Sequence, residues 1–379
     1  MKILWFIENL SLGGQQTQSI NLIRRFKGFE KKLEIDVIYF NDGPLHNQFE
    51  EVSNLVSELF PLERKAIYNP FNILKGIFKY YNYLKNKNYD FVISNGIVSF
   101  GFSSIMKSFF TFKHVRLLGG PLVDIEPSYE KYFHNIIPFH KKVDIVFFCE
   151  GTNKIESSRY GNKLKIFPQG VNIKMFYRKD NYYRQGIRKK YDIPSSDVVI
   201  GWVGRIASNM EIKNTIKLGG LLKKRNLTNF KILIVGGGSW EKEMLQLIDD
   251  ESINSNCIFL GWQPMELIPD LFQAMDIVPL LDDDPVGGSI LREAMACGSL
   301  VISVDGVNKT QSTFIKDRYN GCLVSDVNYI EKCADIIKDY MINNRKIYDE
   351  MALNGVRYAN QNMSFDVQAK VIYEGMIND

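Results

Sequence analysis

The stretch Leu281–Ser303, LDDDPVGGSILREAMACGSLVIS, concentrates the residue types that hold a charged ligand. Asp282, Asp283 and Asp284 precede the glycine pair Gly287 and Gly288. Ser289 and Ile290 follow, then small and apolar residues carrying Glu293 and closing at Gly298. This order reads as the end of a buried strand, a tight turn, a helix and a glycine C-cap before the next strand. The turn leaves unpaired backbone N–H groups at a helix N-terminus, which attract an anion such as phosphate. Glu293 lies about one turn inside that helix, where its carboxylate can accept hydrogen bonds from a ribose diol.

Two further segments carry the same kind of signal. In Gly201–Arg205, GWVGR, a buried run ends in glycine and arginine. A guanidinium at a strand's carboxyl end suits a diphosphate, because it is always charged and can bond two oxygens at once. A surface arginine following a strand is the plain alternative. In Ile234–Trp240, IVGGGSW, a strand runs into three glycines, including Gly237, and then a helix. Either the glycine N–H groups face a phosphate, or Ser239 caps a helix whose first turn holds Glu241 and Glu243. An acidic first turn repels phosphate, which turns this loop toward a sugar or a base.

The elements that must position these residues follow from short apolar runs. Strands are predicted at Lys2–Ile7, Ile35–Phe40, Phe91–Ser94, Val115–Leu118, Asp144–Phe148 and Leu164–Phe167. A second series is predicted at Val198–Val203, Lys231–Val235, Cys257–Leu260, Asp276–Leu280, Leu300–Val304 and Cys322–Val324. Continuous Val, Ile and Phe runs of this length suit strands buried on both faces, and helical patterns between them imply parallel sheets. The fold class is α/β: two doubly wound, Rossmann-like domains with a ligand in the cleft between them. The expected organisation is an N-terminal domain at 1–172, a charged linker at 173–197, a ligand-binding domain at 198–360 and a C-terminal helix at 361–379 packing back toward the first domain.

Composition excludes several classes. The 379 residues include 45% hydrophobic and 24% charged, with a net charge of +4, so no nucleic-acid partner is indicated. Residues 1–170 carry about +6 and the rest about −2. Cys149, Cys257, Cys297, Cys322 and Cys333 are widely spaced in apolar runs and read as buried free thiols. With His46, His114, His134 and His140 they form no metal pattern. Glu8 interrupts the short apolar start, which reads as a strand and not a signal peptide. No run reaches the ~18 apolar residues of a membrane span. The expected location is the cytoplasm, with the inner face of the cell membrane within reach.

Taken in order, GWVGR, ILIVGGG, IFLGW, the Asp276–Leu280 strand, REAMACG with LVIS, and Asn320-Gly321 with CLV resemble the donor-binding domain of retaining family-4 GT-B glycosyltransferases over residues 198–325. Gly13-Gly14 and PQGVN (Pro168–Asn172) extend the resemblance into the first half. The resemblance implies a nucleotide-sugar donor and a glycan or lipid-linked acceptor in surface polysaccharide synthesis, with retained anomeric configuration. It implies no cofactor and no metal. By it, Glu293 binds the ribose, Arg205 the diphosphate, and the N–H groups of Gly287, Gly288, Ser289 and Ile290 the distal phosphate. Trp262 and Gln263 flank the base beside Gly237, while Gly13 and Gly14 approach the phosphates.

The sequence departs from that family at three places. Pro285 stands eight residues before Glu293, where a second glutamate is usual, with Asp284 one step earlier. Met210 stands where a lysine is usual, with Lys213 the nearest cation. Gly119-Gly120-Pro121 follows the strand that often ends in histidine. Arg205, Lys213 and Asp284 are the candidate catalytic residues. The departures leave room for a different donor such as a CMP-sugar, for an inactive GT-B-like partner subunit, or for a sugar-nucleotide epimerase. Asp124 and Glu126, after Gly119-Gly120, are either an acceptor-side carboxylate pair or a plain loop. Finally, residues 65–90 and 105–116 mix lysine with Phe and Tyr. They form either a membrane-surface contact or a helix whose Phe71, Ile73, Leu74, Phe78 and Tyr81 are core contacts under solvated lysines.

Overall fold

A computed structural model describes residues 1–62, 69–118, 141–149, 160–207, 212–281, 289–306 and 311–378. The chain divides into two compact units, Met1–Pro168 with Phe365–Asp379, and Gln169–Ser364. Each is α/β with a wholly parallel sheet among the described residues. The sequence series of apolar runs therefore became two Rossmann-like folds, because strands covered by helices on both faces must be apolar throughout.

The first sheet has strands β1 (Lys2–Ile7), β2 (Glu34–Tyr39), β3 (Leu55–Glu58), β4 (Phe91–Asn95), β5 (Lys113–Leu118), β6 (Ile145–Cys149) and β7 (Leu164–Phe167), in the order β3-β2-β1-β4-β5-β6-β7. Ile3, Trp5 and Ile7 of β1 and Val37 of β2 are fully buried. β3 is absent from the sequence expectation. It is a four-residue edge strand whose residues are exposed or half-buried, so no apolar run announces it. The helix Phe365–Ile377 belongs to this unit. Ala369, Ile372 and Met376 join the core of β1, and Arg25 pairs with Asp366 at 2.6 Å.

The second sheet has β8 (Val198–Val203), β9 (Phe230–Val235), β10 (Cys257–Phe259), β11 (Ile277–Leu280), β12 (Leu300–Val304) and β13 (Cys322–Val324), in the order β10-β9-β8-β11-β12-β13. The order reverses between β8 and β11, which is the switch point where open parallel sheets take their ligands. Among the described residues no helix is long and apolar enough to cross a membrane.

The segment expected as a linker, 173–197, is instead part of the second unit. It contains the helix Asn181–Lys190, whose Arg184 and Arg188 project from one face at i,i+4 spacing. Both reach Asp276, just before β11, each at 2.5 Å. The same buried carboxylate accepts from the Val199 N–H at 2.7 Å and the Tyr340 hydroxyl at 3.3 Å. Arg188, 1% exposed, also donates to the Ala274 and Asp197 carbonyls. A charge-rich tract looked solvated in sequence because its counter-ion lies far along the chain.

Removing that counter-ion strands a buried guanidinium. Asp276→Leu should destabilise the second unit by about 3–5 kcal/mol in urea denaturation. Adding Arg188→Met should recover much of the loss, because the uncompensated charge goes with it. A single-variant loss under about 1 kcal/mol would contradict the assignment of the cluster as the clamp.

Candidate nucleotide-binding edge of the second unit

Parallel strands place all their carboxyl ends on one edge, and the ends of β10, β9, β8 and β11, with the turns that leave the first three, lie along it in that order. These three turns are laced together by backbone hydrogen bonds. Gly204 donates to Val235 O at 2.9 Å, Ile206 to Gly237 O at 3.0 Å, Gly236 to Gly261 O at 2.8 Å and Trp240 to Ile206 O at 3.2 Å. The lacing explains two of the three glycines in IVGGGSW. A Cβ on Gly236, whose φ is +134°, would sit 1.8 Å from Gly204 O, and one on Gly238 would sit 2.1 Å from Ile206 O. These glycines admit a neighbouring loop.

Ser239 does not cap the following helix, contrary to one sequence reading. The helix is Glu241–Asp250, preceded by Trp240 with no side-chain cap. The Glu241 carboxylate instead accepts from the Gly238 N–H at 2.7 Å. A negative group thus already occupies the glycine loop, which disfavours phosphate there. Gly237 lies beside Trp262, with its hypothetical Cβ 3.7 Å from the Trp262 Cβ. Trp262 is 74% exposed, and the Gln263 amide is turned back onto Leu260 O at 2.8 Å. The indole is an open apolar face at the edge, and the Gln263 side chain helps hold its turn.

Arg205 follows β8 at the switch point. It is exposed and has no hydrogen-bond or ion-pair partner among the described residues. The helix Ser289–Cys297, which follows β11, stands on the other side of the switch. Ser289 at its start is exposed and Ile290 half-buried. Gly298 closes the helix at φ +90°, with Ser299 N–H bonded to Ala294 O at 3.0 Å, as expected of a glycine C-cap. Cys297 at its last turn is a buried free thiol, its pKa pushed up by burial and by the Glu293 carboxylate beside it.

Glu293 is the electrostatic oddity of this edge. It is half-buried and has no hydrogen-bond or ion-pair partner among the described residues. Burial alone pushes its pKa up to about 7. Its neighbour Arg292, absent from the sequence expectations, is 1% exposed, donates to Gln169 Oε1 at 2.7 Å and stacks 4.1 Å over the Phe314 ring. Arg292 fixes one side of the helix while Glu293 is left on another. The arginine was visible in REAMACG, but its partners lie far away in sequence.

Lys213 is exposed in the first turn of the helix Ile212–Lys224, while the next residue, Asn214, turns inward to Leu281 O at 2.6 Å. Met210, Asp282, Asp283, Asp284, Pro285, Gly287 and Gly288 lie outside the described residues, as do Gly119, Gly120, Asp124 and Glu126. In the first unit, Gly13 is the extended residue before the helix Gly14–Phe29. A Cβ on Gly13 would meet Gln16 Oε1 at 2.5 Å, whereas Gly14 borders open space. Gln16 bonds Asn9 at 2.8 Å and Asn95 bonds Ser19 at 2.7 Å, so the polar groups around this turn are satisfied internally.

Residues 184–358 match the family model described as glycosyl transferases group 1. The D-inositol 3-phosphate glycosyltransferase of Corynebacterium jeikeium is 28% identical over 146 residues, 37% of this chain and 35% of that protein. The match spans about a third of the length of such curated relatives. Among solved structures, Anabaena Alr3699/HepE in complex with UDP superposes with a TM-score of 0.81 at 18% identity, covering 100% of both chains. The lipopolysaccharide outer core galactosyltransferase WaaB, in its apo form, gives 0.74 at 17% identity, over 100% of this chain and 99% of that one. These likenesses establish the GT-B type of fold.

Glu293 makes a pH prediction. Its folded pKa is raised from 4.5 to about 7, so the folded state holds the proton more tightly than the unfolded one. Stability attributable to it is intact below about pH 4.5 and is lost as pH rises through 7, to the extent of about 3 kcal/mol. Glu293→Gln has no such term. The variant should match the wild type near pH 4.5 and exceed its unfolding free energy at pH 8. Parallel pH curves would show that the carboxylate is not desolvated.

Proposed function

We propose that this chain, whose residues 184–358 form a glycosyl transferases group 1 domain, transfers a sugar from a nucleoside-diphosphate sugar to a glycan or lipid-linked acceptor. The observation that carries the reading is the pair of ionisable groups flanking the switch point that have no partner among the described residues, a desolvated carboxylate on Glu293 and an exposed guanidinium on Arg205. A nucleotide diphosphate answers both. Its ribose hydroxyls donate to Glu293, and its phosphates bond Arg205 and the N–H groups at the start of the Ser289–Cys297 helix. Trp262 offers its open face to the base.

In transfer, the bond from the anomeric carbon to the phosphate oxygen breaks and one to the acceptor oxygen forms, while the proton of the acceptor hydroxyl passes to an oxygen of the departing diphosphate. Charge builds on the departing diphosphate. Arg205, with Lys213 and the helix N-terminus, would offset that charge without a metal ion, and each such donor contributes about 3–4 kcal/mol to barrier lowering in comparable sites. Retention of anomeric configuration and a role in surface polysaccharide assembly belong to the same proposal. The likeness to a lipopolysaccharide galactosyltransferase supports the latter. Among the described residues the half-buried Glu293 carboxylate has no partner, which favours an active enzyme over an inactive partner subunit, since a desolvated polar group kept for the fold alone would be expected to find one within it.

Thermal denaturation with UDP, GDP, ADP, CMP and dTDP tests the reading, and UDP is the first choice because Alr3699/HepE was solved with it. One nucleotide at a hundredfold excess over its Kd should stabilise the chain by about 2.7 kcal/mol. Glu293→Ala should remove that shift. Arg205→Ala should weaken the diphosphate while leaving the nucleoside unaffected. Because the ribose favours the charged carboxylate, affinity should fall by up to about tenfold per pH unit below 7. A flat response to all five nucleotides would overturn the assignment.

A further inference from the structure

The helix Pro70–Leu84 of the first unit has two unlike faces. Its inward face is tightly seated: Tyr80 and Leu84 are buried, and a Cβ on Gly76 would come within 2.5 Å of the Phe60 and Phe102 rings. Its outward face is just as apolar. Phe71 is 80% exposed, Leu74 62%, Phe78 67% and Tyr81 40%. The reading of these four as core contacts is therefore wrong; of that set only Ile73 is half-buried. Spaced at i, i+3, i+7 and i+10, they form one stripe along the helix. Phe109, 63% exposed with its ring 6.0 Å from Tyr81, continues it.

Charge accompanies the stripe and is predominantly positive. Lys75, Lys79 and Lys85 are exposed on and beside it. Residues 69–118 hold seven Lys and Arg against one acidic residue, Asp90. Phe110, 5.2 Å from the Tyr81 ring, also lines an open groove of about 930 Å³ together with Lys113, Asp90 and Lys107, whose ammonium is paired with Asp144. We propose that this aromatic stripe and its lysines are a docking surface for an anionic lipid bilayer. The rings would enter the headgroup boundary and the lysines would meet the anionic headgroups, each adding roughly fivefold in affinity. A second copy of the chain fits less well, because a twofold contact through this face would set lysines against lysines. The proposal is independent of the donor reading, since the stripe shares no residue with the nucleotide edge.

Vesicle co-sedimentation of the full chain tests it. At about 50 mM salt the protein should bind phosphatidylglycerol-containing vesicles at least tenfold more strongly than pure phosphatidylcholine, and about 500 mM salt should erase most of the difference. Lys75→Glu with Lys79→Glu should reduce anionic-vesicle binding by at least twentyfold. Leu74→Glu with Phe78→Glu should abolish it. All four side chains are exposed, so an unchanged thermal midpoint and an unchanged response to nucleotide would confirm folding. Absence of wild-type binding to anionic vesicles at low salt, or undiminished binding by the Leu74/Phe78 variant, overturns the proposal. So would sedimentation showing a dimer that Phe78→Glu dissociates while vesicles remain unbound, which assigns the face to a second copy.

Discussion

One buried carboxylate, Asp276, gathers the amino edge of the second sheet. It receives Arg184 and Arg188 from a helix that precedes the sheet, the Val199 N–H from the start of β8 and the Tyr340 hydroxyl from a helix beyond β13. Two buried charges, Asp276 and Arg188, are tolerable only when bonded this completely. The cluster therefore fixes register at that end of β8 and β11, the two strands on either side of the switch point. The opposite ends of the same strands are set in direction by that clamp and left open.

The open edge divides its charges differently. Where Asp276 is saturated, Glu293 and Arg205 lack partners among the described residues. Where a glycine loop offers an N–H group, Glu241 has already taken it. Negative charge is thus disfavoured at the β9 loop, where Glu241 sits, and least opposed beside the exposed Arg205 after β8. A nucleoside diphosphate has the matching polarity along its length, with hydroxyls that donate, phosphates that accept and a flat base. The backbone lacing of the β8, β9 and β10 turns keeps Arg205 and Trp262 in a fixed relation to that pattern without using any side chain a ligand would need.

Much of the fold was readable because its signal is local. β-branched and aromatic runs marked β1, β2 and β4 to β13 within a residue or two, and Gly298 marked the end of its helix. β3 was not readable, since an exposed four-residue edge strand has no apolar pattern. The anchoring of the helix Asn181–Lys190 was not readable, because burial of an arginine depends on a carboxylate 88 residues away. The glycines of IVGGGSW left a phosphate turn and a plain helix start both open; whether a glycine serves a ligand or a neighbouring carbonyl is decided by Gly204 and Ile206, which only the fold brings near. Glu293 stood out in sequence by its place in the helix, but its isolation, which gives it chemical meaning, is a property of the packed structure. The exposed stripe on Pro70–Leu84 is the converse case. Its 3.6-residue spacing was plain, and spacing alone could not tell which face turned inward.

A structure of the chain crystallised with UDP would test the central claim most directly. The account predicts both ribose hydroxyls within about 2.6–3.2 Å of the Glu293 carboxylate and the diphosphate on the Arg205 side of the switch point. A nucleotide bound with its phosphates in the Gly236–Gly238 loop, or with its ribose away from Glu293, would contradict it.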